Sequence, residues 1–444
     1  MIDRKAPIVA IIGRANVGKS SLFNAILGRR EAIVADEPGT TRDSVTAKVH
    51  WGGKGFWLVD SAGFKDARDE FELTIQDQIA QAATSADVIV VVIEAQIQIT
   101  EEDRRAAKLA LNSRKKVVLV VNKADKNKAA QPNDFRGLGV WPIIMTAATQ
   151  RVGIEQLLNE LTLSLPLVRV READDRLRVA LLGRPNVGKS ALFNALAHKQ
   201  QAIVSERAGT TRDVNRLIIR YEKREIELLD TAGIRRSGKI EPGVEKFSVL
   251  RSLAAIEEAD VSLLLMDAGE LNVGLDQKIA GLVKEAGKGL ILVVSKWDTV
   301  EKDRASTEQR SAQIAANFAF VPWAPLIFTS SLSGQNVTKI FELVLDIAGA
   351  RARKVKTTEL NRWLRVSVNI HPPAGLKNHQ PKLRYMVQEE DNPIPSFKIF
   401  GAYTRFLHWS YKRYLERSFR QEWPYVGTPV KFWFIDKPVG EKLK

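Results

Sequence analysis

The chain of 444 residues contains no cysteine. It therefore forms no disulfide and no thiolate metal site, and a cysteine nucleophile is excluded. It also lacks an apolar run close to the ~20 residues that a membrane helix needs. The N-terminal residues lead directly into an apolar strand pattern without the layout of a signal peptide. We therefore expect a soluble, cytoplasmic protein with no membrane span.

The whole chain has a net charge of +15, and acidic residues are scarce in its last part. Residues 351–444 contain 19 Lys and Arg and 8 Asp and Glu, and 19 minus 8 is a net of +11, which leaves +4 for residues 1–350. A basic segment of this kind suits a polyanion such as RNA, although solvated surface lysines are the alternative.

The clearest positive feature is a phosphate-binding loop that occurs twice. Gly13–Ser20 fits G-x-x-x-x-G-K-[ST] between an apolar run and a helical pattern, and Gly183–Ser190 repeats it 170 positions later (183 minus 13). In such a loop, backbone N–H groups surround the phosphates, the lysine reaches the β- and γ-phosphates, and the hydroxyl ligates Mg²⁺. A single loop would leave ATPases, kinases and GTPases open. The predicted phosphate-binding residues are Gly13, Asn16, Val17, Gly18, Lys19 and Ser20, and Gly183, Asn186, Val187, Gly188, Lys189 and Ser190.

Apolar runs alternate with helix-length segments through both halves of the chain, which predicts two tandem α/β domains, each a mostly parallel sheet with helices on both faces. The predicted strands are Ile8–Ile12, Phe56–Asp60, Val88–Ile93, Val117–Val121 and Ile143–Thr146, then Arg178–Leu182, Ile226–Asp230, Val261–Met266, Leu290–Val294 and Leu326–Thr329. A small α+β domain is expected to follow, with helices at Thr357–Leu364 and Thr404–Gln421 and strands at Arg365–Ile370, Lys382–Gln388, Phe397–Ile399 and Val430–Ile435. The expected boundaries are 1–165, a linker at 166–176, 177–350 and 351–444.

Each phosphate loop is followed by a D-x-x-G motif that ends a predicted strand. Asp60 and Asp230 begin the motifs, each 47 residues after its loop glycine (60 minus 13 and 230 minus 183), and Gly63 and Gly233 end them. The carboxylate can hold Mg²⁺ directly or through water, and the glycine N–H can approach the γ-phosphate. A strand-ending aspartate that only caps a helix is the alternative, which two copies in register disfavour.

The nucleotide base that the protein binds is indicated by Asn122-Lys123-Ala124-Asp125, which has the form N-K-x-D. The Asp125 carboxylate can accept two hydrogen bonds from guanine, whereas adenine offers no such donor pair and would leave the carboxylate unpaired, at a cost of about 1–3 kcal/mol or more. This favours GTP over an ATP-dependent enzyme. The second domain has Ser295-Lys296-Trp297-Asp298, in which Asp298 still specifies guanine. Ser295 has a shorter reach and fewer donors than asparagine, so we expect a less well braced second site.

These motifs, together with Gly-Thr-Thr-Arg-Asp at 39–43 and 209–213, His371-Pro372-Pro373 and Gly427-Thr428-Pro429, resemble the bacterial tandem GTPases of the Der (EngA) family. The resemblance implies two G domains and a KH-like domain, hydrolysis of GTP to GDP and phosphate, and a role in assembling the large ribosomal subunit. It assigns Thr40, Thr41, Thr210 and Thr211 to the switches, with Thr41 and Thr211 joining Ser20 and Ser190 at the metal. It places the backbone near Thr146, Ala147, Ser330 and Ser331 beside the guanine.

The hydrolysis step lacks a familiar residue, because Phe64 and Ile234 follow the D-x-x-G motifs where many GTPases have a glutamine. The family resemblance implies that a monovalent cation, K⁺, supplies positive charge there, with Asn16 and Asn186 as its ligands. The alternative is that both asparagines only shape the loop.

The predicted helix Thr404–Gln421 has a basic face opposite an apolar one. The basic residues are Arg405, Lys412, Arg413, Arg417 and Arg420, and the predicted core residues include His408, Trp409, Tyr411 and Tyr414. The tail has no G-x-x-G loop, so either RNA contact or relay of the G-domain state remains open for it. We expect GTP or GDP, Mg²⁺, K⁺ and the large ribosomal subunit with its rRNA as ligands and partners of a monomer. The rival hypothesis is an RNA-binding scaffold whose second nucleotide site is structural, which Ser295 slightly favours.

Overall fold

The computed structural model describes residues 6–28, 46–60, 75–95, 98–166, 176–199, 215–230, 249–271, 274–300, 304–373, 379–390 and 392–436. Of these, residues up to 166 together with 249–258 form an N-terminal unit, and the others form a C-terminal unit. Within the described ranges, no helix is both long and apolar enough to cross a membrane.

The N-terminal unit is built on a six-stranded sheet with the order β2-β3-β1-β4-β5-β6. All neighbours are parallel except β2 and β3. The sheet is covered on both faces, and for that reason its central strands are continuous apolar runs. The strands are β1 (Ile8–Ile12), β2 (Thr46–Trp51), β3 (Lys54–Asp60), β4 (Val88–Glu94), β5 (Lys116–Asn122) and β6 (Ile143–Met145). The helices are α1 (Lys19–Leu27), α2 (Ile75–Ser85), α3 (Glu101–Asn112) and α4 (Ile154–Ser164).

The C-terminal unit contains a second sheet of the same design, with the order β12-β11-β10-β7-β9-β8 and one antiparallel pair, β8 and β9. Its strands are β7 (Leu177–Leu182), β8 (Asn215–Tyr221), β9 (Arg224–Asp230), β10 (Val261–Asp267), β11 (Gly289–Ser295) and β12 (Leu326–Phe328). The helices from this part of the chain are α5 (Lys189–Lys199), α6 (Val249–Glu258), α7 (Gly274–Ala286), α8 (Arg304–Asn317) and α9 (Lys339–Ala352).

Helix α6 follows β9 in the sequence but belongs to the N-terminal unit by its contacts. Its buried Glu257 carboxylate accepts hydrogen bonds from Trp57 Nε1 at 2.6 Å and from the Ala6 N–H at 3.0 Å. Lys48 lies 4.0 Å from the same carboxylate. A buried acid is costly unless it is bonded in this way, so these contacts define where α6 packs.

The ten strands predicted for the two α/β domains are confirmed, each to within two residues at its ends. Strands β2 and β8 were not predicted. Both pair at a sheet edge and alternate buried with exposed positions, as in Leu217 and Ile219 of β8. A search for continuous apolar runs misses strands of this kind.

The small C-terminal domain packs two helices on a three-stranded sheet with the order β13-β14-β15. Its core is a cluster of rings around Phe419, which lies 5.3 Å from Trp363 and 4.7 Å from Phe397 between ring centres. This confirms the small α+β domain. The elements are α10 (Thr357–Ile370), β13 (Lys382–Glu389), β14 (Ser396–Ala402), α11 (Trp409–Glu422) and β15 (Lys431–Asp436).

Two predictions for this domain are wrong. Residues 365–370 continue helix α10 and do not form a strand. Buried Leu360, Leu364 and Ser367 recur at helical spacing there, so packing of one helix face outweighs the β-branched residues of the segment. The predicted helix Thr404–Gln421 is divided, because Thr404–Phe406 forms a short 3₁₀ helix and α11 begins only at Trp409.

The small domain is docked on the second α/β sheet within the C-terminal unit. The Gly427 N–H donates to Trp323 O at 2.7 Å, and its carbonyl accepts from the Leu290 N–H, the second residue of β11, at 2.8 Å. The Arg351 guanidinium, at the end of α9, adds three bonds on the same side. These go to Gly287 O at 3.0 Å, Thr428 Oγ1 at 2.8 Å and Pro393 O at 2.9 Å. The strand contacted by Gly427 is the one that leads to Ser295.

Gly427→Ala is expected to destabilise this docked arrangement. Gly427 has φ +66°, and a Cβ there would collide with the Ile347 side chain of α9. Left-handed strain and overpacking together cost about 2–4 kcal/mol. Thermal unfolding of the full chain, followed by tryptophan fluorescence, should show a lower midpoint, because four of the nine tryptophans lie beyond residue 350.

Gly53→Ala is the matched control, because Gly53 has φ +76° and a Cβ there would meet nothing within 4 Å. It carries the backbone cost without the collision, about 1 kcal/mol. A midpoint for Gly427→Ala no lower than that for Gly53→Ala would contradict a tight contact at Gly427.

Candidate functional site

In each α/β domain the predicted site residues meet at the carboxyl edge of the parallel strands, where open α/β sheets place their ligands. In the first domain, Gly13–Ser20 connects β1 to α1, Asp60 ends β3, and Asn122 ends β5. Thr146 and Ala147 follow β6 at the same edge. The second domain repeats the arrangement with its own loop, Asp230, Ser295, Ser330 and Ser331.

The lysine of each phosphate loop is buried and is held by carbonyls of its own loop. Lys19 Nζ donates to Gly13 O at 2.9 Å and to Arg14 O at 2.7 Å. Lys189 Nζ makes the same two bonds, to Gly183 O at 3.0 Å and to Arg184 O at 2.6 Å. The ammonium group therefore lies inside the loop, where it can reach an incoming phosphate.

Each phosphate loop contains an asparagine and a glycine whose backbone has a left-handed conformation. Asn16 and Asn186 both have φ 63°, a conformation that asparagine tolerates better than most residues, and both side chains are exposed. Gly18 has φ +95°, and a Cβ there would collide with the Asn122 amide nitrogen. The glycine thus lets Asn122, at the end of β5, approach the loop closely.

The Asn122 side chain ties three segments of the first site together. Its Nδ2 donates to Val17 O at 2.9 Å. Its Oδ1 accepts from Thr146 Oγ1 at 3.1 Å and from the Ala148 N–H at 3.2 Å. One buried amide therefore fixes the phosphate loop, the end of β5 and the segment that follows β6 relative to each other.

Lys123 makes a second link between these segments, because its Nζ donates to Asn16 O at 2.8 Å and to Glu94 Oε1 at 3.0 Å. Arg14 of the phosphate loop lies on the other side of the same carboxylate, 3.5 Å from Glu94 Oε2, and 3.5 Å from Asp103 Oδ1 in the first turn of α3. Glu94 thus joins Lys123, which follows β5, to Arg14 of the loop that follows β1.

In the second site the lysine and the arginine contact different acids. Lys296 Nζ donates to Asp267 Oδ2 at 2.6 Å, whereas Arg184 donates to Glu270 at 2.7 Å and lies 3.3 Å from Asp276 in α7. Burial raises the pKa of Asp276 to about 6, an effect that Arg184 only partly offsets. Burial also raises the pKa of Asp267, but the hydrogen bonds from Lys296 and from the Gly269 N–H, together with the positive charges of Lys296 and Arg184, outweigh it and hold that pKa below its ordinary value.

Ser295 replaces only part of the asparagine function. Its Oγ reaches Val187 O at 2.5 Å and Met266 O at 3.0 Å, but one hydroxyl proton serves only one of them at a time. The segment after β12 is held by the Trp297 N–H, which donates to Thr329 O at 3.0 Å. A serine still braces the phosphate loop, but it has no carbonyl with which to accept bonds from that segment.

The groups predicted to hold the metal lie side by side in the first site. Ser20 Oγ donates to Asp60 Oδ2 at 2.8 Å, and the Asp60 side chain is buried. A hydroxyl and a carboxylate oxygen form the donor set that Mg²⁺ prefers, so these residues fit the ion.

Asp125 is half-buried, and its carboxylate accepts a bond from Gln150 Nε2 at 3.2 Å. The predicted site residues Thr40, Thr41, Gly63, Thr210, Thr211 and Gly233 lie outside the described residues.

Sequence reasoning missed the acidic partners of the two phosphate loops. Glu94 and Asp103 correspond to Asp267 and Asp276 at an offset of 173 (267 minus 94 and 276 minus 103), the same offset that separates Lys123 from Lys296. Aligning the two halves of the chain beyond the D-x-x-G motifs would have drawn attention to them.

Comparison with known proteins agrees with the geometry. A family model described as "50S ribosome-binding GTPase" matches residues 8–123 and again 178–296. A second model, described as the C-terminal KH-domain-like region of EngA bacterial GTPase enzymes, matches residues 354–434.

Individual relatives match over nearly their whole length. The chain is 40% identical over 434 residues to GTPase Der of Herpetosiphon aurantiacus, covering 96% of this chain and 95% of that protein. It is 41% identical over 446 residues to GTPase Der of Chloroflexus aggregans, covering 98% and 99%. A solved structure of Era with MgGDPNP and a 16S ribosomal RNA segment is 21% identical, with a TM-score of 0.31, and the match covers 60% of this chain and 94% of that one.

Exchanging the residues at positions 122 and 295 should lower the GDP affinity of the first site and raise that of the second. Asn122→Ser leaves the Ala148 N–H and the Thr146 hydroxyl without their acceptor, at a cost of about 1–3 kcal/mol, so GDP should bind the first site about tenfold more weakly. Ser295→Asn supplies the missing acceptor and should strengthen the second site. Binding of fluorescent GDP is measured on the full chain, with the other site disabled by Lys189→Ala or Lys19→Ala.

Asn127→Ser is the matched control, since the Asn127 amide donates to Ala95 O at 3.0 Å and lies only a few residues after Asn122 in the chain. It should leave GDP affinity unchanged. An Asn122→Ser affinity equal to that of the control would show that the amide does not brace the site.

Proposed function

The chain belongs to the Der family of GTPases, and from this premise we propose that it is a GTP-controlled assembly factor of the large ribosomal subunit. It is a GTPase with two G domains and a KH-like domain. The observation that carries the proposal is the docking of the basic domain on the strand that leads to the second guanine-side segment, through Gly427 and Leu290. The description of the matched model as a 50S ribosome-binding GTPase supports the ribosomal partner. A ribosomal partner also supports a location in the bacterial cytoplasm.

Under this proposal each phosphate loop binds the β- and γ-phosphates through its N–H groups and its lysine, while Asp125 and Asp298 read the guanine. Ser20 with Asp60, and Ser190 with Asp230, would hold Mg²⁺, helped by Thr41 and Thr211. When bound, the ion neutralises charge on the phosphates. GTP orders the switches at Thr40 and Thr210, and hydrolysis releases them.

We further propose that Asn16 and Asn186 hold a K⁺ ion beside the phosphates. The Asn16 side chain is exposed, and the backbone carbonyl of the same residue is held by Lys123, so a ligand from solvent can reach the Asn16 amide oxygen. An added positive charge at this position stabilises charge that develops on the phosphates, as an arginine does in other GTPases.

GTP turnover by the wild-type chain should therefore be faster in potassium than in sodium buffer. Asn16→Ala and Asn186→Ala should each lower turnover at their own site about 10- to 100-fold and remove the preference for potassium. Asn24→Ala and Asn194→Ala change exposed asparagines in the following helices and should leave both rates unchanged. Equal wild-type rates in the two salts would reject the potassium site.

Nucleotide control is tested by sedimentation with purified ribosomal subunits in GDP, in GTP and in a non-hydrolysable GTP analogue. The chain should sediment with the large subunit in the analogue and dissociate in GDP. A variant with both loop lysines changed, Lys19→Ala and Lys189→Ala, should lose the difference between nucleotides. Binding that ignores the nucleotide would reject the switch, and a lack of binding in every state would reject the ribosomal role.

A further inference from the structure

The KH-like domain exposes aromatic side chains that a packed core would have buried. Trp409 is 52% exposed and Tyr403 is 47% exposed, whereas Tyr411 is buried as predicted. The prediction of Trp409 as a core residue is wrong, because Trp409 lies two residues before Tyr411 in α11 and a helix turns about 100° per residue, so its side chain is about 200° around the helix from buried Tyr411. Trp409, Arg413 and Arg417 recur at intervals of four residues and therefore share the outer face.

These aromatic rings lie against other flat groups. The Arg413 guanidinium carbon is 4.6 Å from the Trp409 ring centre. The His379 ring stacks on Phe406 at 4.0 Å and on Tyr403 at 5.1 Å between ring centres, with interplanar angles of 22° and 25°. The domain thus presents planar side chains that are already oriented by their neighbours.

The charge around these rings is positive. Between residues 403 and 417 every exposed side chain is aromatic or basic except Ser410, and we call this set the aromatic-basic face. Its members are Tyr403, Arg405, Trp409, Lys412, Arg413 and Arg417.

Two acidic side chains close to the aromatic-basic face are hydrogen-bonded to residues outside it. Glu416 accepts from Arg420 Nε at 3.0 Å, and Asp436 accepts from Thr404 Oγ1 at 2.8 Å. Arg420 does not belong to the basic face as predicted, because it turns inward to the Tyr425 and Thr428 carbonyls. The Thr404 hydroxyl is neutral and does not cancel the charge of Asp436, but the aromatic-basic face itself contains four basic side chains and no acidic one, so its net charge is positive.

We infer that the aromatic-basic face binds unpaired RNA nucleotides, with bases stacked on Trp409 and Tyr403 and phosphates held by Lys412, Arg413 and Arg417. This deepens the proposed function, on which it rests, by naming single-stranded RNA as the ligand class. Duplex RNA would need only the basic side chains, because its bases are already stacked, whereas unpaired bases stack on exposed aromatic rings and guanidinium planes. The tail contains no G-x-x-G loop, so this face supplies another place for single-stranded RNA.

The test uses the full chain and two fluorescein-labelled RNAs, a mixed-sequence single strand of about 12 nucleotides and a duplex of the same length. Trp409→Ala should weaken single-strand binding about tenfold and duplex binding less than about twofold. Trp409→Phe keeps a ring and should retain most of the affinity. Arg413→Lys keeps the charge without the plane and should weaken single-strand binding more than duplex binding.

Trp141→Ala is the matched control, because Trp141 is 65% exposed and has the Arg136 guanidinium carbon 5.6 Å from its ring centre, but lies in the first G domain. It should leave both affinities unchanged. Equal losses of single-strand and duplex binding in Trp409→Ala, or no loss at all, would overturn the inference. A loss of large-subunit binding with unchanged RNA binding would also overturn it in favour of a protein partner.

Folding is checked by the thermal unfolding midpoint of each variant, and Trp409→Phe and Arg413→Lys decide the question if Trp409→Ala unfolds. The RNA measurement needs no ribosome or nucleotide. A chain that fails to sediment with the large subunit but loses single-strand binding in Trp409→Ala would reject the assembly role and support the stacking face. Normal sedimentation with unchanged RNA binding in all variants would support the assembly role and reject the stacking face.

Discussion

A loop that binds phosphate through its N–H groups has to direct its carbonyl oxygens away from the anion, and donors must hold them there. In the first domain Lys19, Asn122 and Lys123 supply these donors. Two of the three come from the N-K-x-D segment at the end of β5. The predicted phosphate loop and the predicted guanine-side residues therefore belong to one hydrogen-bonded assembly, which requires β1 and β5 to end at the same edge of the sheet.

The duplicated domain shows which parts of this assembly vary. Its lysine repeats both carbonyl bonds, and Ser295 still reaches Val187 O. In the first site one acid joins the lysine and the arginine, whereas in the second site Lys296 pairs with Asp267, and Arg184 pairs with Glu270 and Asp276. The amide acceptor is also absent. A serine still holds the loop carbonyl in this arrangement, but it links the end of β11 less tightly to the segment that follows β12 than Asn122 links the corresponding segments of the first domain. The domain with the weaker coupling is the one on which the KH-like domain is docked.

Prediction from sequence succeeded where residues that act together are close along the chain or repeat at a fixed offset. The phosphate loops, the D-x-x-G aspartates and the N-K-x-D segment are local patterns, and continuous apolar runs indicated the ten central strands. Prediction was wrong at Arg365–Ile370, where β-branched residues suggested a strand but one-sided burial favours a helix. It was also wrong at Trp409, because Trp409 lies on the opposite side of α11 from buried Tyr411, and exposure depends on that position and not on composition.

The sequence by itself determined that the chain carries two G domains for guanine nucleotide and a basic tail, since each rests on residue types at short, regular spacing. Only the tertiary structure decided which donors hold the loop carbonyls, how Glu94 joins Lys123 to Arg14, and that the KH-like domain contacts β11 through Gly427. Apart from the Lys19 bonds inside its own loop, these contacts join residues from 29 positions apart, for Glu94 and Lys123, to 137 positions apart, for Leu290 and Gly427 (427 minus 290). Side-chain geometry at such separations follows from how strands and helices pack, and no local pattern encodes it.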